Sequence, residues 1–178
     1  MRDGARRTSI LRNDRRRSHS SRTLIGPLRI LLADDHAMVR QGLRKLLEEC
    51  PEWEVIAEAG DGGEAVRLAE QHRPDLAILD IAMPLLNGIE ATREIAMRSP
   101  NTRVLLLSMH ADDAYVTQGL QAGATGYLLK EAADADLLTA ANEVAHGRSF
   151  LSPSLAHLID DHSRQSTRTG VIAKASED

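Results

Sequence analysis

Four apolar runs in this 178-residue chain end on residues able to do chemistry. The first closes on Asp34-Asp35, the next on Asp80, the third on Ser108 and the last on Lys130. Three carboxylates, a hydroxyl and an ammonium form a usable set only if something brings them together. Converging carboxylates repel one another unless a cation intervenes. An all-oxygen donor set with few protein groups suits Mg²⁺, which keeps several waters. A lysine beside it can hold a phosphoryl oxygen as a point charge, and a hydroxyl can donate to another. Carboxylate, Mg²⁺, Lys and Ser together describe a site for phosphoryl transfer onto an aspartate. Each residue alone is ordinary: strands often end in Asp, and a single Ser or Lys there is unremarkable. The information lies in their conjunction.

The runs themselves must supply the convergence. They span residues 30–33, 55–59, 76–79, 104–107 and 127–129, and are nearly continuous rather than alternating. That texture suits strands buried on both faces of a parallel sheet. Helical spacing fills the gaps. Val39, Leu43, Leu46, Leu47 and Cys50 recur at three- and four-residue steps before Pro51,. Further helices are expected over 63–72, from 89 to about 98, about 112–122 with Gly123 as a left-handed cap, and about 133–146, with Asp134 as its cap and Gly147 at its end. A short sixth helix is expected after Pro153, to about residue 161. Gly60-Asp61-Gly62-Gly63 lacks the pattern of a phosphate loop and reads as a turn opening a helix. The pattern is that of an α/β, (βα)₅ single domain, with helices on both faces. In such sheets ligands bind at the carboxyl ends of the strands, where the chemical residues fall.

Composition limits the alternatives. The net charge of −4 conceals a split: residues 1–29 carry nine Arg against two Asp, and the remainder 13 Lys and Arg against 24 Asp and Glu. One cysteine, Cys50, excludes an internal disulfide framework and a Cys-based zinc finger,. The four aromatics are too few for a stacked single-strand nucleic-acid platform,. No apolar run approaches a membrane span, and the Arg-rich start is not followed by the apolar stretch of a secretory signal. Residues 1–27 read as a disordered basic tail, with weak nucleic-acid or anionic-membrane contact and an organelle transit peptide as its alternative uses. Residues 28–148 read as the domain, 149–162 as a linker with the short helix, and 163–178 as a second disordered tail.

The wording LLADDHAMVRQGL, DLAILDIAMPLLNGIEA, LLLSMHADD and AGATGYLLKE closely resembles the receiver domain of bacterial two-component response regulators, in the NarL/FixJ (LuxR-type) branch. The likeness runs from residue 29 to about 147, two thirds of the chain. It implies a flavodoxin-like, doubly wound parallel sheet of order 2-1-3-4-5. It implies that Asp80 accepts a phosphoryl group from a sensor histidine kinase. Asp34, Asp35, Asp80 and the backbone carbonyl of Ala82 would hold Mg²⁺. Ser108 and Tyr127 would switch, Lys130 would pair with the phosphoryl group, and Pro84 and Gly88 would shape the loop after the phosphorylated strand. His110 and Ala82 are expected to tune the lifetime of that group. The resemblance further implies a cytoplasmic signalling module in transcription regulation, able to pair as a homodimer, rather than an enzyme acting on a diffusible substrate.

Two departures stand out. Glu131 follows Lys130 where many receivers have proline. The branch carries a C-terminal helix-turn-helix, and the polar final 16 residues show no four-helix pattern, so no direct DNA reading is expected of this chain, whether it acts as a stand-alone receiver or as a truncated fragment of a LuxR-type transcription factor. Mg²⁺-dependent phosphatases of the haloacid-dehalogenase type are the enzymatic alternative. They require a second Asp two residues after the nucleophile, and here Ala82 stands there.

Overall fold

A computed structural model of the chain describes residues 26–156. The two tails expected at 1–27 and 163–178 fall outside it, except for residues 26 and 27. Five βα units follow one another: β1 (Leu28–Ala33), α1 (Ala37–Leu47), β2 (Trp53–Ala59), α2 (Gly62–His72), β3 (Leu76–Asp80), α3 (Gly88–Arg98), β4 (Arg103–Ser108), α4 (Asp113–Gln121), β5 (Gly126–Leu129) and α5 (Ala133–Ala145). All strand pairs are parallel, and the order is β2-β1-β3-β4-β5 with one further strand, β6 (Phe150–Leu151), beside β5. This is the flavodoxin-like α/β sheet expected, one strand wider.

Alternate residues of the same runs feed two separate cores. Leu31, Ala33, Ala77, Leu79, Leu106, Tyr127 and Leu129 pack with α2, α3 and α4. Ile30, Leu32, Leu76, Ile78, Leu105, Leu107 and Leu128 pack with α1 and α5. Residues of these central strands therefore need apolar side chains on either face,.

Several local expectations differ from what is observed. The first helix ends at Leu47, and Cys50 lies in the turn that follows, its N–H bonded to the Leu47 carbonyl. Val39, counted on the apolar face, is 40% exposed. Asp134 does not cap α5; it sits in the first turn, where a carboxylate meets the positive end of the helix dipole,. Gly123, at φ +110°, does take the left-handed position expected after α4. Asp61 caps α2 by accepting the Glu64 N–H at 2.8 Å.

The largest difference lies in the segment expected as a linker. Phe150–Leu151 joins the sheet, and Ser152 secures it: its N–H reaches the Tyr127 carbonyl at 3.0 Å, and its Oγ accepts the Leu129 N–H at 2.8 Å. Pro153–Leu155 forms one 3₁₀ turn in place of the start of a helix, with Leu155 buried in the core. The rest of the proposed sixth helix, from residue 157, lies outside the described residues. Among the described residues, no helix is long and apolar enough to cross a membrane.

Candidate functional site

The carboxyl ends of β1, β3 and β5 bring Asp34, Asp80 and Lys130 into direct contact. Lys130 Nζ lies 2.8 Å from Asp34 Oδ2 and 3.0 Å from Asp80 Oδ2. Asp34 is fully buried, Asp80 nearly so, and the Lys130 side chain is 16% exposed. A 3₁₀ turn at Lys130–Ala132, opening directly after β5, turns the lysine back over the sheet edge. Burial by itself would lower the Lys130 pKa. Its hydrogen bonds to Asp34 and Asp80, and their charges, outweigh that and raise it.

The second oxygen of each buried aspartate is held from the backbone. Asp34 Oδ1 accepts the His36 N–H at 2.8 Å, and Asp80 Oδ1 accepts the Ala82 N–H at 3.2 Å. Asp35 is more open, and its Oδ1 lies 2.9 Å from His36 Nδ1. One ligand atom from each of Asp34, Asp35, His36 and Asp80 lies within 4.8 Å of the others. Three carboxylates meet a single ammonium, so the pocket keeps a surplus of negative charge that a cation would balance.

The loop from β3 to α3 is tightly constrained. The Leu86 N–H bonds back to the Pro84 carbonyl at 2.8 Å, making a γ-turn with Leu85 at φ +66°,. Leu85 is 91% exposed, so nothing apolar is gained there to offset the strain,. Gly88 sits against the end of β3: a Cβ on it would lie 2.3 Å from the Asp80 carbonyl oxygen. Asn87 then starts α3 with a full capping box shared with Glu90,.

Ser108, at the end of β4, is buried, and its hydroxyl accepts the His110 N–H at 2.9 Å. Tyr127 is fully buried and its phenol donates to the His110 carbonyl at 2.9 Å. The His110 ring stacks on Tyr115, with centroids 4.9 Å apart and planes 14° apart. Both rings, with Ala82 and Arg93, line a cavity of about 360 Å³ beside the Asp80 loop. Burial pushes the Tyr127 phenol pKa up from 10.0; a hydrogen bond with the Ser108 hydroxyl pulls against that rise.

Tyr127→Phe should therefore lose about 0.5–1.5 kcal/mol of stability through the missing hydrogen bond. A phenol held neutral in the fold contributes stability below its ordinary pKa of 10.0, and that contribution fades as pH rises above it,. Urea unfolding of both proteins should show the gap at neutral pH narrowing above pH 10. A gap of constant size would show that the phenol does not titrate with the fold.

Two residues of this site gave no signal that sequence reasoning used. His36 precedes α1 and turns its ring onto Asp35. Arg40, one turn later, reaches back to the Asp34 carbonyl at 2.5 Å and lies 3.5 Å from Glu58. Their four-residue separation behind an Asp pair was the available clue.

The family model for the response regulator receiver domain matches residues 30–142. The transcriptional regulatory protein DegU of Brevibacillus brevis is 45% identical over 139 residues, which cover 77% of this chain and 58% of that protein. The chain thus spans little more than half the length of that relative. The crystal structure of a LuxR-family two-component response regulator from Aurantimonas sp. SI85-9A1 is similar with a TM-score of 0.73 and 39% identity, covering 78% of this chain and 99% of that one. The signal receiver domain of the NarL response regulator from Mycobacterium tuberculosis matches with a TM-score of 0.67 and 36% identity, covering 70% and 100%.

Proposed function

Since the chain belongs to the response regulator receiver family, in its NarL/LuxR branch, we propose that it receives a phosphoryl group on Asp80 from a phosphohistidine of a sensor kinase. The observation that carries this reading is the Lys130 ammonium bridging two buried aspartates at the carboxyl edge of the sheet. An Asp80 carboxylate oxygen forms the new P–O bond as the P–N bond of the phosphohistidine breaks, and the imidazole leaves with the electron pair. The donor set fits Mg²⁺: Asp34, Asp35, Asp80 and the Ala82 carbonyl would hold it, and it would neutralise phosphoryl oxygens,. Lys130 exchanges an aspartate for a phosphoryl oxygen as partner. Ser108 supplies a hydroxyl toward the same group, releasing the His110 N–H it now accepts. Tyr127, bonded to the His110 carbonyl, carries that change to the surface. A new charge of about −1.5 to −2 is sufficient to bias such a loop.

In this reading the protein catalyses only its own phosphorylation and dephosphorylation. Its partners are the kinase and a second copy of itself, its setting is the cytoplasm, and its output is transcription control. The phosphatase alternative lacks an acid–base group, because the residue two positions after Asp80 is Ala82. The test is incubation with Mg²⁺ and a small phosphodonor, read by intact mass; addition of one phosphoryl group is expected.

His110 and Ala82 flank the approach to Asp80 from the neighbouring cavity. His110→Ala should shorten the lifetime of the phosphoryl group several-fold by opening a path for water. A bulkier residue at 82 should lengthen it. Unchanged autodephosphorylation in both variants would remove these residues from the account.

A further inference from the structure

We propose that His36 is an additional ligand of the acidic pocket, and that it extends the pocket's range from Mg²⁺ to borderline transition-metal ions such as Zn²⁺ and Co²⁺. The inference rests on the Mg²⁺ reading above and adds a nitrogen donor to it. His36 Nδ1 lies 2.9 Å from Asp35 Oδ1 and 3.5 Å from Asp34 Oδ1. Metal–ligand bonds of about 2.0–2.1 Å place adjacent ligand atoms about 2.9–3.4 Å apart, from octahedral to tetrahedral geometry. The separation from Asp35 falls in that range and the one from Asp34 just beyond it, so a small turn of the exposed ring brings the imidazole nitrogen to a ligand position.

The position is built rather than incidental. The His36 backbone is fixed at both ends: its N–H donates to Asp34 Oδ1, and its carbonyl accepts the Arg40 N–H at 3.0 Å. The ring itself is 70% exposed and held only by carboxylates. It can meet an ion arriving from solvent without leaving a core. Lys130 occupies the Oδ2 atoms of Asp34 and Asp80, and Asp34 Oδ1 is the oxygen that faces the His36 ring.

Ligand chemistry sets the consequence. Mg²⁺ demands hard oxygen donors and keeps its waters, so an imidazole adds little to it. Zn²⁺ and Co²⁺ gain from an imidazole nitrogen. His36 is thus a specificity residue for the metal and no part of the Mg²⁺ shell.

The test is calorimetric titration of the full chain with Mg²⁺ and, separately, with Zn²⁺, for the wild type, His36→Gln and Asp35→Asn. The imidazole ¹⁵N resonances are followed in parallel. Zn²⁺ affinity should fall at least about tenfold in His36→Gln, with Mg²⁺ affinity unchanged. Asp35→Asn should weaken both ions, and the His36 Nδ1 resonance should shift on Zn²⁺ addition. Zn²⁺ affinity unaltered by His36→Gln, or equal losses for both ions, would reduce His36 to a hydrogen-bond partner of Asp35 and overturn the proposal. Zn²⁺ binding through His36 without any Mg²⁺ binding would uphold it and overturn the Mg²⁺ reading instead. A wild type that takes neither ion overturns both.

Discussion

Asp80→Asn is expected to reduce phosphoryl incorporation from a small donor to below detection while leaving the fold intact. A carboxamide oxygen carries no charge to attack phosphorus, and its shape is nearly that of the carboxylate it replaces. Asp34 cannot take over: it is fully buried, with Oδ1 engaged by the His36 N–H and Oδ2 by Lys130. Asp35 is turned toward His36. Stability should hold or rise slightly. Two buried carboxylates share one lysine with Asp35 close by, and removing one charge relieves repulsion in a buried setting,. Intact mass after donor treatment and a thermal melt of the same sample provide both readouts. Incorporation that persists in this variant would sink Asp80 as the acceptor; incorporation lost together with the fold would remove the charge argument.

Gly88→Ala is expected to damage the end of β3 that carries Asp80. The added Cβ would stand 2.3 Å from the Asp80 carbonyl oxygen and 2.9 Å from both the Asp80 carbonyl carbon and Ile81 Cα. These are backbone atoms at the end of a fully buried strand, so no side chain can swing aside. Either α3 retreats and its capping box loosens, or the end of β3 shifts and takes Asp80 with it. Overpacking of this kind costs about 1–3 kcal/mol or more. For a chain of this size each kcal/mol lowers the melting temperature by about 2–4 °C. Incorporation on Asp80 should fall as well, because the moved atoms carry the acceptor. Gly42→Ala is the control of opposite sign. Gly42 lies within α1 with nothing within 4 Å of its absent Cβ. Alanine there should stabilise by about 0.5–1 kcal/mol. Equal melting temperatures for Gly88→Ala and the wild type would refute the close approach.

The sheet was legible because β1, β3, β4 and β5 are buried on both faces, so their residues form nearly unbroken apolar runs that neither helices nor loops imitate at that length. Asp34, Asp80 and Lys130 were legible as strand-end residues, since parallel strands open their carboxyl ends on one edge. β6 was not legible. Two residues cannot display a period, and Phe150–Leu151 stand beside Pro153, which reads as the end of structure. His36 was missed for a different reason: a histidine in a loop acquires meaning only through the direction of its ring, and direction is set by Asp34 and Asp35 folding back around it. Asp134 was misjudged because an aspartate in the first turn of a helix has the same composition as one at its cap, and only the geometry of the preceding 3₁₀ turn separates them.

The short strand β6 has a bearing on how copies of this protein stay apart. A sheet edge presents unpaired N–H and C=O groups that invite another chain to add a strand. Without Phe150–Leu151 and the Ser152 hydroxyl, the outer side of β5 would be such an edge, and it adjoins Lys130. Ending a recombinant domain at residue 148, where sequence patterning alone would place the boundary, would strip this guard and leave β5 a sticky margin next to the phosphorylation pocket. Keeping the chain through residue 155 retains both the guard and the buried Leu155 that anchors it.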